Sequence, residues 1–172
     1  FWASNPHYNP KDTVSAATLL LRGEQRINQI KNQPEVQAQL LTVIGKARSE
    51  LGNYEKADSL LQRSLQLSKQ QFGANSIEYA QGLREYAVLN RKMGNFPAAE
   101  SLHRESLTTL RAQDKADRQI LAGTMNELAL VLRKKGDYHA ADSRFSQVMH
   151  IYKTNPSSKP DDVAQTANNW AG

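Results

Sequence analysis

A short pattern recurs three times in this chain at a fixed interval, and it restricts the fold more than any single residue does. The copies are Gly52-Asn53-Tyr54-x-x-Ala57, Gly94-Asn95-Phe96-x-x-Ala99 and Gly136-Asp137-Tyr138-x-x-Ala141, each glycine 42 residues after the last. A period in this range marks a solenoid, whose units are supersecondary elements that bury their apolar faces only against neighbours. The chain is therefore expected to fold as a stack and to act as an interaction scaffold.

Inside each unit the apolar spacing is helical. Leu40, Leu41, Ile44, Gly45, Ala47 and Leu51 share one face of a first helix, and Gly52 supplies the left-handed turn that ends it. Ala57, Leu60, Leu61, Ser64, Leu65 and Ser68 then form the stripe of a second helix. The same stripes return at Leu83, Tyr86, Ala87, Leu89 and Met93 with Ala99 to Leu110, and at Met125 to Leu132 with Ala141 to Tyr152. Gly45, Ala87 and Ala129, like Ala57, Ala99 and Ala141, are small where paired helices must approach closely.

The expected fold class is all-α, a helical-hairpin solenoid. An irregular arm is expected over 1–12, a capping helix over 13–32, and repeats over 35–75, 76–117 and 118–155. The first helix of a truncated fourth is expected over 161–172. In the cap, Ala16, Leu19, Leu20 and Gly23 match Ala57, Leu60, Leu61 and Ser64. The chain opens on Phe1 and ends inside the expected last helix, so it reads as a piece of a longer protein.

Composition narrows the function. The net charge of +5 is mild and its cations are dispersed. The pI near 9.5 alone argues weakly for nucleic acid, because aromatic residues are not interleaved with the basic ones as stacking platforms require. No apolar run approaches the ~18 residues of a membrane span, so no membrane insertion by these residues is expected. Without cysteine there are no disulfides or thiolate metal sites. His139 and Asp142 are three apart but lack a third ligand, and phosphate-loop, dinucleotide and kinase catalytic-loop motifs are absent. No enzyme activity, cofactor or metal is expected of this chain. His103 lies on a helix stripe and reads as a partly buried packing residue.

Residues 35 to 171 resemble tetratricopeptide repeats, in the 42-residue version of kinesin light chains and many bacterial proteins. The resemblance rests on Ile44-Gly45, Leu51-Gly52-x-Tyr54-x-x-Ala57 and Leu60-Leu61-x-x-Ser64-Leu65 with their later copies. Phe72-Gly73-Ala74-Asn75-Ser76 and Lys159-Pro160-Asp161-Asp162-Val163-Ala164 are similar to the family's inter-repeat loop and its continuation. Arg48 and Asn90 depart from it where tyrosine is usual, and Lys135 where a hydrophobic residue precedes the glycine. The resemblance implies a right-handed superhelix with a concave groove that holds a protein or peptide ligand.

Carried across residue by residue, that groove comprises Lys46, with Thr42, Val43, Ser49 and Glu50, in the first unit. The second adds Arg84, Glu85, Val88, Arg91 and Lys92, the third Asn126, Glu127, Leu130, Arg133 and Lys134, and the fourth Asn168 and Asn169. The family often places asparagine at positions 126, 168 and 169, where an amide can both donate to and accept from a peptide backbone. Arg91, Lys92, Arg133 and Lys134 form an expected basic edge. Glu85 and Glu127 stand where some relatives clamp a terminal carboxylate, which disfavours that ligand.

Residues Thr13-Val14-Ser15-Ala16, Leu19-Leu20-x-Arg22-Gly23, Arg26-Ile27 and Gln33-Pro34-Glu35-Val36 resemble the opening of the repeat region in certain bacterial serine/threonine protein kinases. That implies a membrane-anchored parent in which this segment senses or docks, its repeats outside the cytoplasm. The competing expectation is self-association, a homodimer through the exposed apolar surface around Trp170 on the truncated last helix.

Overall fold

The computed structural model of the protein describes residues 15–27, 29–30, 32–113, 117–156 and 158–172. The arm expected over 1–12 lies outside them. Eight helices follow one another, with no strand among the described residues: α1 (Ala16–Ile27), α2 (Pro34–Glu50), α3 (Tyr54–Phe72), α4 (Ile77–Lys92), α5 (Phe96–Arg111), α6 (Arg118–Lys134), α7 (Tyr138–Thr154) and α8 (Pro160–Ala171). The pairs α2–α3, α4–α5 and α6–α7 are hairpins. They stack so that α3 packs on α4 and α5 on α6, while α2, α4, α6 and α8 form an inner row.

The repeated pattern accounts for each hairpin turn. Gly52, Gly94 and Gly136 have φ of 75°, 80° and 86°, a conformation costly for any residue with a Cβ. The Asn53 N–H bonds back to the Arg48 carbonyl at 2.9 Å and the Gly52 N–H to that of Ser49 at 3.1 Å, closing a Schellman motif. The next helix starts at once. The Oδ1 atoms of Asn53 and Asp137 accept from the backbone N–H of Lys56 and Ala140. One residue thus closes the turn with its backbone N–H and caps the following helix with its side chain.

Close approach explains the small residues. A Cβ added to Gly45 would lie 2.8 Å from Leu61 Cγ, and one added to Gly23 would lie 2.8 Å from Ile44 Cδ1. Ala57, Ala87, Ala99 and Ala129 have no exposed surface. Ser64 Oγ donates to the Ala38 carbonyl at 2.7 Å, and Ser106 Oγ repeats the bond to Ala80 at 2.6 Å, satisfying both buried hydroxyls. In the third unit, Val148 fills that position. The largest apolar cluster surrounds Phe145, Met125, Leu128 and Val148.

The departures from the family pattern have local reasons. Arg48 is buried and reaches Glu24 of α1 through both Nε and Nη2, each at 2.7 Å. Asn90 donates to the Tyr86 carbonyl and accepts from Asn95 at 3.2 Å. Lys135 crosses to Glu100 of α5 at 2.5 Å, and that bond holds the Glu100 carboxyl below its usual range.

The two ends close differently. α1 covers the first unit with Leu20, Gly23 and Ile27, which meet Ile44 and the cluster around Leu41. The expected match placed Leu19 and Ala16 on the packed side; both are exposed, while Leu20 and Ile27 pack and Glu24 reaches Arg48. At the other end, Trp170 of α8 stacks on Phe145 with ring centroids 6.5 Å apart, and its Nε1 donates to Asp142 at 2.7 Å.

Candidate functional site

The inner row presents a continuous face whose character changes between its first two junctions. Between α2 and α4 lies a solvent-open cavity of about 320 Å³. Its apolar surface comes from Ala38 and Val43 of α2, Phe72 at the end of α3, and Gly82 of α4. Val43 is 62% exposed, unusual for a valine with a packed helix on either side. Gln39 and Gln81, equivalent in successive units, set two amides into the wall, and Glu35 and Glu78 line it as well. Neither carboxylate has an ion pair or hydrogen bond among the described residues.

At the other end of this cavity, Arg84 and Lys46 both reach Glu85, at 2.5 and 3.0 Å. Beyond them Val88 is half-buried between Lys46 and Lys92. Lys92 pairs with Glu50 at 2.7 Å and, through that bond, lowers the pKa of the Glu50 carboxyl.

The next junction is filled. Arg84 extends toward α6, its Nη1 lying 3.4 Å from where a Cβ on Gly123 would stand. Arg91 pairs with Glu127 at 3.1 Å, and Arg133 donates to the Asn169 carbonyl of α8. Asn126 is buried, and its Oδ1 accepts from Asn169 Nδ2 at 3.4 Å. Leu130 packs against the cluster around Phe145. Asn168 is exposed, its carbonyl accepting from the Gly172 N–H, and Lys134 is exposed with no ion pair among the described residues.

The residues singled out from sequence thus divide. Lys46, Arg84, Val88 and Lys92 cluster on the first junction with Glu50 and Glu85. Arg91, Asn126, Arg133 and Asn169 tie the later inner helices together, and half of the basic edge, Arg91 and Lys92, is neutralised by carboxylates of the chain. Among the polar lining residues on the inner helices, Glu35, Gln39, Glu78 and Gln81 were not among those singled out. Extending the groove face toward the helix N-termini in steps of three and four would have reached Gln39 and Gln81 after one turn and Glu35 and Glu78 after two.

Behind this face lies His103, fully buried with neither ring nitrogen hydrogen-bonded. Burial above all, then the positive charges of Arg91 and Arg84, pushes its pKa down to about 3. The imidazole is neutral and packs where the other units have Leu61 and Phe145. It was expected to be only partly buried. Among the described residues no group of three or more potential ligands could hold a metal ion, and no helix is long and apolar enough to cross a membrane.

Stacked hairpins with a ligand-accessible inner face define a class, the α-solenoid interaction proteins, and sequence comparison supplies the family. The tetratricopeptide repeat model matches residues 36–112 and 83–154, and the chain belongs to that family. Its fold is similar to the crystal structure of BtubC (BKLC) from P. vanneervenii, with 20% identity and a TM-score of 0.75 over 90% of this chain and 62% of that one. It is also similar to the nearly identical TPR-like repeats of a kinesin light chain candidate from Podosopora anserina, with 16% identity and a TM-score of 0.68 over 89% of this chain and 73% of that one. At such identities the likeness establishes the fold alone. No curated protein sequence matches. Tetratricopeptide repeats mediate protein–protein interaction, and the fold is typically a non-catalytic scaffold.

Proposed function

We propose that this chain is a docking scaffold that holds a peptide or partner helix against its inner face, with Lys46, Arg84, Val88 and Lys92 beside the ligand. The observation that carries the reading is the open cavity between α2 and α4, where solenoids of this kind present their binding surface. The later inner helices, joined by Arg91–Glu127 and Arg133–Asn169, extend the surface rather than open it. The setting we favour is a regulatory protein such as a membrane-anchored serine/threonine kinase, which the sequence likeness in residues 13–36 supports. Self-association through α8 has less support, since Trp170 is engaged by Phe145 and Asp142.

A photocrosslinking amino acid placed at Val43, and separately at exposed Gln66 on the outer helix α3, tests this in cells. Adducts with a discrete partner are expected from Val43 and not from Gln66. Equal labelling from both, or adducts with this chain alone, would overturn it.

A further inference from the structure

The docking reading says where a ligand sits; the cavity itself carries information about what the ligand is. Its walls are asymmetric in charge. At one end, Glu85 is already saturated by Arg84 and Lys46. At the other, Glu35 in the first turn of α2 and Glu78 in the first turn of α4 are both exposed, with no ion pair or hydrogen bond among the described residues. A helix dipole favours a carboxylate in a first turn. It does not require two of them to line one cavity, beside an exposed valine and a phenylalanine.

Resting on that docking reading, we propose that the cavity takes an extended segment of a partner protein that places a lysine or arginine side chain between Glu35 and Glu78 and an apolar side chain against Val43 and Phe72. The volume of about 320 Å³ is at the small end of ligand pockets, enough for a long side chain and its neighbour. The amides of Gln39 and Gln81 can each donate to and accept from the segment's backbone. An acidic segment would face the uncompensated like charge of Glu35 and Glu78 at one end, against a single surplus positive charge at the other, where Lys46 and Arg84 share Glu85. Charge complementarity therefore selects a basic, partly apolar segment.

Selection from a phage library of random dodecapeptides against the whole chain provides the probe. Enriched peptides are expected to carry lysine or arginine next to an apolar residue. A synthetic copy of one should lose about tenfold or more in affinity when its cation becomes alanine, or when the protein carries Glu35→Gln with Glu78→Gln, the scale of a lost charge-assisted bond. Val43→Asp should abolish binding. Circular dichroism of the Gln variants should show the same helical spectrum and only a small drop in melting temperature, since each carboxylate gives up its interaction with the helix dipole and no ion pair among the described residues. Peptides blocked by Val43→Asp but lacking a cation, or indifferent to the paired Gln substitutions, would overturn the basic-ligand inference and leave the docking reading standing. Peptides indifferent to Val43→Asp as well, or no enrichment, would overturn both.

Discussion

The first two junctions of the inner row are built from equivalent positions and end in opposite states. At α2–α4, Gln39, Val43 and Glu85 line an open cavity; at α4–α6, Gly123 replaces the glutamine and leaves room for the Arg84 guanidinium. Behind them the cores differ too. Leu61 belongs to a small cluster with Ala57 and Leu89, whereas Phe145 sits in the largest cluster of the molecule. The two junctions differ in access rather than in the number of ties, since Lys46–Glu85 and Lys92–Glu50 cross the first and Arg91–Glu127 the second. A repeat protein can specialise its units in this way without altering the fold, because each unit needs only to satisfy its neighbours.

This contrast can be broken in graded steps. The largest effect is expected from Phe145→Ala, a loss of about 3–5 kcal/mol in chemical denaturation, and it should exceed that of Leu61→Ala. A reversed order would mean that the cluster around Phe145 is not the more cohesive of the two cores.

Acid should find His103 next. Its proton binds near pH 3 in the folded chain and near the ordinary 6.5 in the unfolded one. As pH falls below 6.5, the unfolded state takes up a proton that the folded state refuses. Stability should therefore fall by up to about 1.4 kcal/mol per pH unit toward pH 3, and be fully retained above 6.5. His103→Leu, copying Leu61, should remove that component of the slope in denaturation series across the window. An unchanged slope would show that the ring is solvated in solution.

Two glycine substitutions give the smaller effects, with opposite signs. Gly45→Ala should cost about 1–3 kcal/mol, because its methyl group would overlap Leu61. Gly123→Ala should instead stabilise by up to about 1 kcal/mol, since its methyl meets Arg84 only at contact distance and glycine is a poor helix former. Thermal melts of the two variants decide both signs.

The fold was legible because its determinants are local and periodic. Gly52, its copies and the Asn or Asp after each of them fix every turn within a few residues. The state of the inner face was less legible. Arg91 meets Glu127 and Arg133 meets Asn169, each 36 residues ahead, while Lys46 meets Glu85, 39 ahead. Neither interval is the repeat period. Each depends on how far one hairpin is rotated against the next and on how far a long side chain reaches. Sequence identifies a cation at such a position but not the carboxylate that neutralises it. Leu19 was obscured too, since it adjoins Leu20 on α1 and the spacing does not say which of the two faces Leu41 and Ile44.

Among the described residues, no helix contacts another more than two places away along the chain. Under tension applied to its ends, the molecule therefore has no long-range clasp that must rupture before anything yields. Its hairpins would surrender one at a time, each paying out roughly 140–150 Å of extended chain. An optical trap would record a staircase of near-equal steps, the least cohesive unit giving way first, and a ligand bridging α2 and α4 would raise the force of the step that separates those two helices.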